Sequence, residues 1–143
     1  MKVEDIEEMM NEDRKIDKLD LENEIFKTAL LHGKYYHIMM EESRILKTLQ
    51  LLFAKLKLEK TNYYLGKSDD EVYIKNPLNL RVTKQELDLY LDQDEEMQKT
   101  DFKVFNQKMK VQMLHDFISN IINTRGYYIK DYISYEKFKS GIN

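Results

Sequence analysis

The chain has 143 residues, enough for one domain that buries about two thirds of the surface its unfolded form would expose. It has no Cys, which excludes disulfides, thiolate metal sites and thiol nucleophiles and fits an intracellular setting. At 42% hydrophobic and 34% charged residues it reads as a folded, well-solvated chain, and no apolar run approaches the ~20 residues that a bilayer span needs. The acid-rich start, residues 1–8, resembles neither a signal peptide nor a transit peptide.

The formal charge of −3 hides four alternating blocks. Residues 1–26 carry a net −6, 27–67 a net +5, 68–101 a net −6 and 102–143 a net +4. A polyanion responds to the field of a local patch rather than to the sum, so two basic blocks could bind one. Blocks of this size also arise as ordinary solvated helix faces.

With one Pro and four Gly, the chain offers few places to break a helix. Val3, Ile6, Met9 and Met10 recur at helical spacing and predict a first helix over about 3–11. A second is predicted from near Asp20 toward Gly33, which either interrupts it or bends it. Ile38, Ile45, Leu49, Leu52 and Leu56, with Leu46 and Phe53 beside them, predict a long amphipathic helix over about 34–64.

Gly66 to Asp70 reads as a stop and turn, and Asn76-Pro77 as a second break. Val72 and Ile74, then Leu78, Leu80 and Val82, alternate with other residues as an extended segment or hairpin near 70–82 would. Thr83 and Glu86 have capping-box spacing, which predicts a helix carrying Leu87, Tyr90 and Leu91. A further helix is predicted over about 101–124, with Val111, Leu114, Phe117, Ile118, Ile121 and Ile122 on one face and Met109 and Met113 widening it. Gly126 is placed as a left-handed cap, and Ile129, Tyr132, Ile133 and Phe138 continue the helical pattern to Lys139. The fold expected is mainly all-α, a single domain over 1–143 divided into N-terminal helices (1–65), a turn or extended segment (66–83) and C-terminal helices (84–143). Apolar residues on more than one face of the last helices call for another subunit or a partner.

Little in the sequence points to catalysis. His32, His37 and His115 lack the i, i+4 spacing that puts two imidazoles on one helix face, and no Glu-x-x-His pair marks a di-iron bundle. Neither Gly-rich phosphate-binding motif is present. An enzyme, a metal site or a bound cofactor is therefore not expected.

The basic segment is more telling, because it interleaves Lys55, Lys57 and Lys60 with Tyr63 and Tyr64 and then Lys67. Single-stranded DNA asks for both residue types, cations for phosphates and aromatic faces for bases at about 1–3 kcal/mol per stacked base. The competing reading makes the two tyrosines core aromatics that close the end of a helix whose lysines serve solubility.

The run Lys60-Thr61-Asn62-Tyr63-Tyr64-Leu65-Gly66-Lys67, followed by an acidic turn, resembles the Lys-x-Arg-x-x-Tyr-Tyr-x-Gly-Arg segment of the UvsY family of recombination mediators from T4-type bacteriophages. Ile122 to Lys130, with Arg125-Gly126-Tyr127 and Ile129-Lys130, is similar to that family's C-terminal Arg-Gly-aromatic-x-Ile-Lys segment, and Val3 to Ile6 and Leu31 to Tyr35 also agree with it. The resemblance covers nearly the whole chain, with a small length difference near Pro77. It departs at one point: Leu58 stands where the family has its Lys, so that Lys57 or Lys55 supplies that cation.

The resemblance implies a non-enzymatic protein of the infected bacterial host's cytoplasm. It implies a homo-oligomeric ring of about six or seven subunits, binding of single-stranded DNA without sequence preference, and loading of the recombinase UvsX onto DNA covered by the phage single-strand binding protein. Carried onto this sequence, Lys55, Lys57, Lys60, Tyr63, Tyr64 and Lys67 become the DNA-contacting element. Leu114, Phe117, Ile118, Ile121, Ile122, Arg125, Gly126, Ile129, Ile133 and Phe138 become the assembly element. The rival from another class is a helical homo-oligomeric scaffold or adaptor with no nucleic-acid role, which assembles without DNA.

Overall fold

In the computed structural model, which describes residues 1–141, the scarcity of helix breakers is realised as six α-helices joined by short connections, with no strand among the described residues. They are α1 (Val3–Asp13), α2 (Leu21–Tyr64), α3 (Asp70–Lys75), α4 (Leu87–Gln93), α5 (Glu95–Phe117) and α6 (Arg125–Lys139), with a π-helical turn, Ile118–Ile122, between the last two. The two expected helices on either side of Gly33 form one continuous element of 44 residues. A single interior Gly costs only about 1 kcal/mol relative to Ala, too little to break a helix packed along much of its length.

The covered positions of α2 explain its length. Glu24, Thr28, Leu31, Tyr35, Ile38 and Glu42, then Leu46, Leu49, Phe53, Leu56, Lys60 and Tyr63, are all buried or half-buried. They recur in steps of three and four, with one extra step of four at Ile38 to Glu42 to Leu46, the signature of a coiled-coil seam with a single stutter. The expected stripe is therefore rotated: Ile45 and Leu52 lie at its exposed edge.

Two compact units divide the chain, one made of Met1–Ser43 with Met109–Asn143 and the other of Arg44–Lys108; the last two residues lie outside those described. In the first unit, Ile6 of α1, Leu31 and Tyr35 of α2, Leu114 and Phe117 of α5, and Ile118 and Ile122 of the π turn form one buried cluster. Met9, Met10, Met39 and Met113 fill its margins, a use suited to their flexible thioethers. Tyr35 packs on Phe117 at 4.7 Å, and its hydroxyl donates to Asp13 at the end of α1 at 2.8 Å. Burial alone would push the Asp13 carboxyl up, but hydrogen bonds from Lys34 and Tyr35 outweigh it and hold the group below the ordinary carboxylate range.

The second unit buries Val82, Leu91, Met97 and Val104. The Thr83–Glu86 box forms as expected, with each side chain accepting the other residue's backbone N–H, and α4 follows it directly. The segment expected to be extended is corrected: residues 70–75 are the helix α3, which carries Asp70 and Glu71 at its first turn and Lys75 at its last. It stops before Asn76-Pro77, as the restriction on a residue preceding Pro requires. Gly126 is likewise corrected, since it is the second residue of α6 and not a left-handed cap; the positive-φ glycines are Gly66 and Gly141.

Candidate nucleic-acid interface

Tyr64 ends α2, and the chain leaves through Gly66 at φ 76°, a conformation that only Gly adopts cheaply. The Lys67 N–H donates to the Asn62 carbonyl at 2.8 Å and the Gly66 N–H to the Tyr63 carbonyl at 3.2 Å. This pair of bonds is a Schellman motif, and it fixes where Lys67 emerges.

The tyrosines around that cap form a cluster. Tyr63 stacks on Tyr73 of α3, with centroids 5.5 Å apart and planes 16° from parallel, and meets Tyr64 edge-on at 5.1 Å. The Tyr73 hydroxyl donates to the Tyr63 carbonyl at 2.8 Å, and the Tyr63 hydroxyl donates to the Asn76 carbonyl at 3.0 Å, so α3 is pinned to the end of α2 from its middle and from its C-terminal end. Tyr64 lies 5.8 Å from Tyr90 of α4.

Asp94 is the polar centre of this unit. It caps α5 by accepting the Met97 N–H at 3.0 Å, accepts the Tyr64 hydroxyl at 2.7 Å and pairs with Lys60 at 3.2 Å. Burial alone would raise its carboxyl, but the hydrogen bonds from Tyr64, Met97 N–H and Lys60, together with the Lys60 charge, hold it below the ordinary range. Burial and the Asp94 hydrogen bond push the Tyr64 phenol well above its usual value, so it stays a neutral donor. Lys60 also reaches Glu96 at 3.7 Å and lies over the Tyr63 ring at 5.9 Å.

The six residues read from sequence thus fall into two groups. Lys55, Lys57 and Lys67 are exposed, whereas Lys60, Tyr63 and Tyr64 are half-buried and already engaged with protein partners. At about 100° per residue, Lys57 lies near Lys60 and Tyr64 on the helix, and Lys55 faces another way. Lys60, Lys67 and both tyrosines line a cleft of about 600 Å³, but Glu59, Asp69, Asp94 and Glu96 line it too. The sequence reading gives no site role to Asp94, Tyr73 or Tyr90. For Asp94 a signal existed, an Asp three residues before Met97 at the head of an apolar pattern.

The assembly residues also divide. Leu114, Phe117, Ile118, Ile122 and Ile129 are buried within the chain itself, and Ile121 and Ile133 are half-buried. Arg125, 3% exposed, pairs with the Glu24 carboxylate and carbonyl and donates to Thr28 at 2.9 Å. Gly126 is exposed, and Phe138 is 78% exposed. Phe138 shares the outward face of α6 with Tyr127, Tyr128 and Tyr135, all more than half exposed and opposite the inward Arg125, Ile129 and Tyr132. Among the described residues no group of three or more His, Asp or Glu is placed to hold a metal ion, and no helix is long and apolar enough to cross a membrane.

Residues 9–142 match the protein family described as "Recombination, repair and ssDNA binding protein UvsY". Among solved structures, the chain is similar to the bacteriophage T4 recombination mediator protein UvsY in two crystal lattices. In lattice type II the TM-score is 0.84 at 21% identity, covering 98% of each chain. In lattice type IV it is 0.82 at 19% identity, covering 97% of this chain and 99% of the other. No curated protein sequence matches the chain.

Proposed function

The chain belongs to the UvsY family, and from that premise we propose that it is a recombination mediator acting in the cytoplasm of an infected bacterial host. It binds single-stranded DNA without sequence preference and promotes loading of a RecA-like recombinase, UvsX in the family, onto DNA coated by the phage single-strand binding protein. It catalyses no reaction. The observation that carries the DNA-binding part is the exit of α2, where a rigid cap presents Lys67 beside a tyrosine cluster and exposed Lys57 precedes it.

Lys60 shares its charge with Asp94 and Glu96, so phosphate contacts fall first to Lys55, Lys57 and Lys67. So few cations hold DNA weakly at physiological salt. Repetition of the site around a ring of about six or seven subunits raises avidity by roughly 10²–10⁴ without any new contact. The outward aromatic face of α6, with Phe138, supports that assembly, because monomers rarely leave so many large apolar groups together in water. The buried members of the C-terminal set contribute by holding α6 in place.

Lys57→Ala combined with Lys67→Ala tests the DNA contact. Fluorescence anisotropy with a dye-labelled oligothymidine is expected to show weaker binding, with a salt slope reduced by about 1.4, or ~0.7 for each lost contact to a single strand. An unchanged slope in the double variant removes these lysines from the interface.

A further inference from the structure

A second cleft, of about 520 Å³, opens at the α2 exit and shares Tyr64 and Lys67 with the first. Its remaining polar lining differs in kind. Arg81 and Lys84 join Lys67, and no carboxylate lines it, whereas the first cleft sets Glu59, Asp69, Asp94 and Glu96 against Lys60 and Lys67. Three cations against none is a phosphate-attracting surface, and two against four is not.

The cations of the second cleft are also unspent. Among the described residues none of Lys67, Arg81 and Lys84 has an ion-pair partner, while Lys60 has two. Glu86, the nearest acid along the chain to Lys84, turns its carboxylate onto the Thr83 backbone N–H. The backbone beneath is held rather than loose: Val82 is buried between Arg81 and the capping box, and the Schellman turn fixes Lys67. Tyr73 lines the cleft and supplies an aromatic group beside the cations.

We infer that the phosphodiester backbone of single-stranded DNA runs through this second cleft, contacting Lys67, Arg81 and Lys84, and that Arg81 and Lys84 are DNA-contacting residues in a segment that the charge blocks mark as acidic. The inference rests on the DNA-binding reading above and names the path that reading leaves open. The four carboxylates of the first cleft discourage a strand from entering it.

The test compares two variants of equal charge change in the same unit, Arg81→Gln/Lys84→Gln and Lys99→Gln/Lys103→Gln, both altering exposed residues. Binding of a dye-labelled oligothymidine is followed by anisotropy across a salt series, with far-ultraviolet circular dichroism as the check on folding. The first variant is expected to lose affinity on the order of tenfold and to lower the salt slope by about 1.4, and the second to change the slope by less than half as much. A wild-type slope in the first variant, while the unaltered protein binds, overturns the path and leaves the DNA-binding reading standing. Equal losses in the two variants also overturn it, because they assign the effect to net charge. Absence of binding by the unaltered protein at low salt overturns the DNA-binding reading itself and the path with it.

Discussion

Glu24→Ala is expected to lower the free energy of unfolding by about 3–5 kcal/mol, the range found when one partner of a buried ion pair is removed. Glu24 is 5% exposed and supplies both its carboxylate and its backbone carbonyl to Arg125, whose Nε already finds no acceptor among the described residues. Without the carboxylate, a buried guanidinium keeps only the Glu24 carbonyl and the Thr28 hydroxyl. The double variant Glu24→Leu/Arg125→Met is expected to lose less than Glu24→Ala, since an apolar pair of similar volume carries no stranded charge. Urea unfolding of the three proteins decides it, and a double variant less stable than the single would contradict the account. Because Arg125 starts α6, the single variant should also weaken self-association at a given protein concentration.

The second large effect centres on Asp94. Asp94→Ala removes a helix cap worth about 1 kcal/mol and strands the half-buried Tyr64 hydroxyl, which costs about 1–3 kcal/mol more, so a loss of roughly 2–4 kcal/mol is expected. Asp94→Asn keeps the cap on its single amide oxygen and presents an N–H to the Tyr64 oxygen in place of the lost acceptor, so it should retain more stability than Asp94→Ala. It also releases Lys60 from one of its two carboxylates and removes a negative charge from the cleft that shares Lys67 with the DNA path, so affinity for an oligothymidine should rise by about fivefold, equivalent to a contact of ~1 kcal/mol. Weaker DNA binding by a folded Asp94→Asn variant would contradict this placement of the charge.

The same carboxyl gives the sign of the acid response. Asp94 and Asp13 both titrate below the ordinary carboxylate range when folded, so in acid the unfolded chain binds more protons. Their stabilisation is complete above the unfolded value of about 4 and is lost as pH falls through the folded values. Unfolding midpoints measured from pH 7 down to pH 3 should therefore decline toward acid, and Asp94→Asn should decline less steeply.

Much of this architecture is legible in the residues. Local signals with a mechanism, the stop at Gly66, the Thr83–Glu86 box, the break at Asn76-Pro77 and the spacing of Val3, Ile6, Met9 and Met10, all appear where expected. One misreading has a physical cause. Six residues are too few to separate a period of 2 from one of 3.6, so Asp70–Lys75 read as extended; the helix is decided by Tyr73 docking on Tyr63 while Val72 and Ile74 stay exposed. Of the residues assigned to assembly, Leu114, Phe117, Ile118 and Ile122 also serve the chain's own core, where α1 and α2 supply partners that a pattern in one helix cannot reveal. At the candidate site the residue types were visible and their pairing was not. Nothing in the sequence ties Lys60 and Tyr64 to a carboxylate thirty or more residues away.

A self-assembled ring that grips single-stranded DNA electrostatically, as proposed above, carries the DNA with it and lets it go as salt rises. Sedimentation velocity of the protein mixed with a dye-labelled oligothymidine, read at the dye wavelength at low and at moderate salt, addresses it most directly. The account predicts dye moving with a species of about six or seven times the 17.3 kDa chain and released as salt rises. Dye remaining at the free position while the protein sediments as an oligomer would contradict it and favour a helical scaffold with no nucleic-acid role.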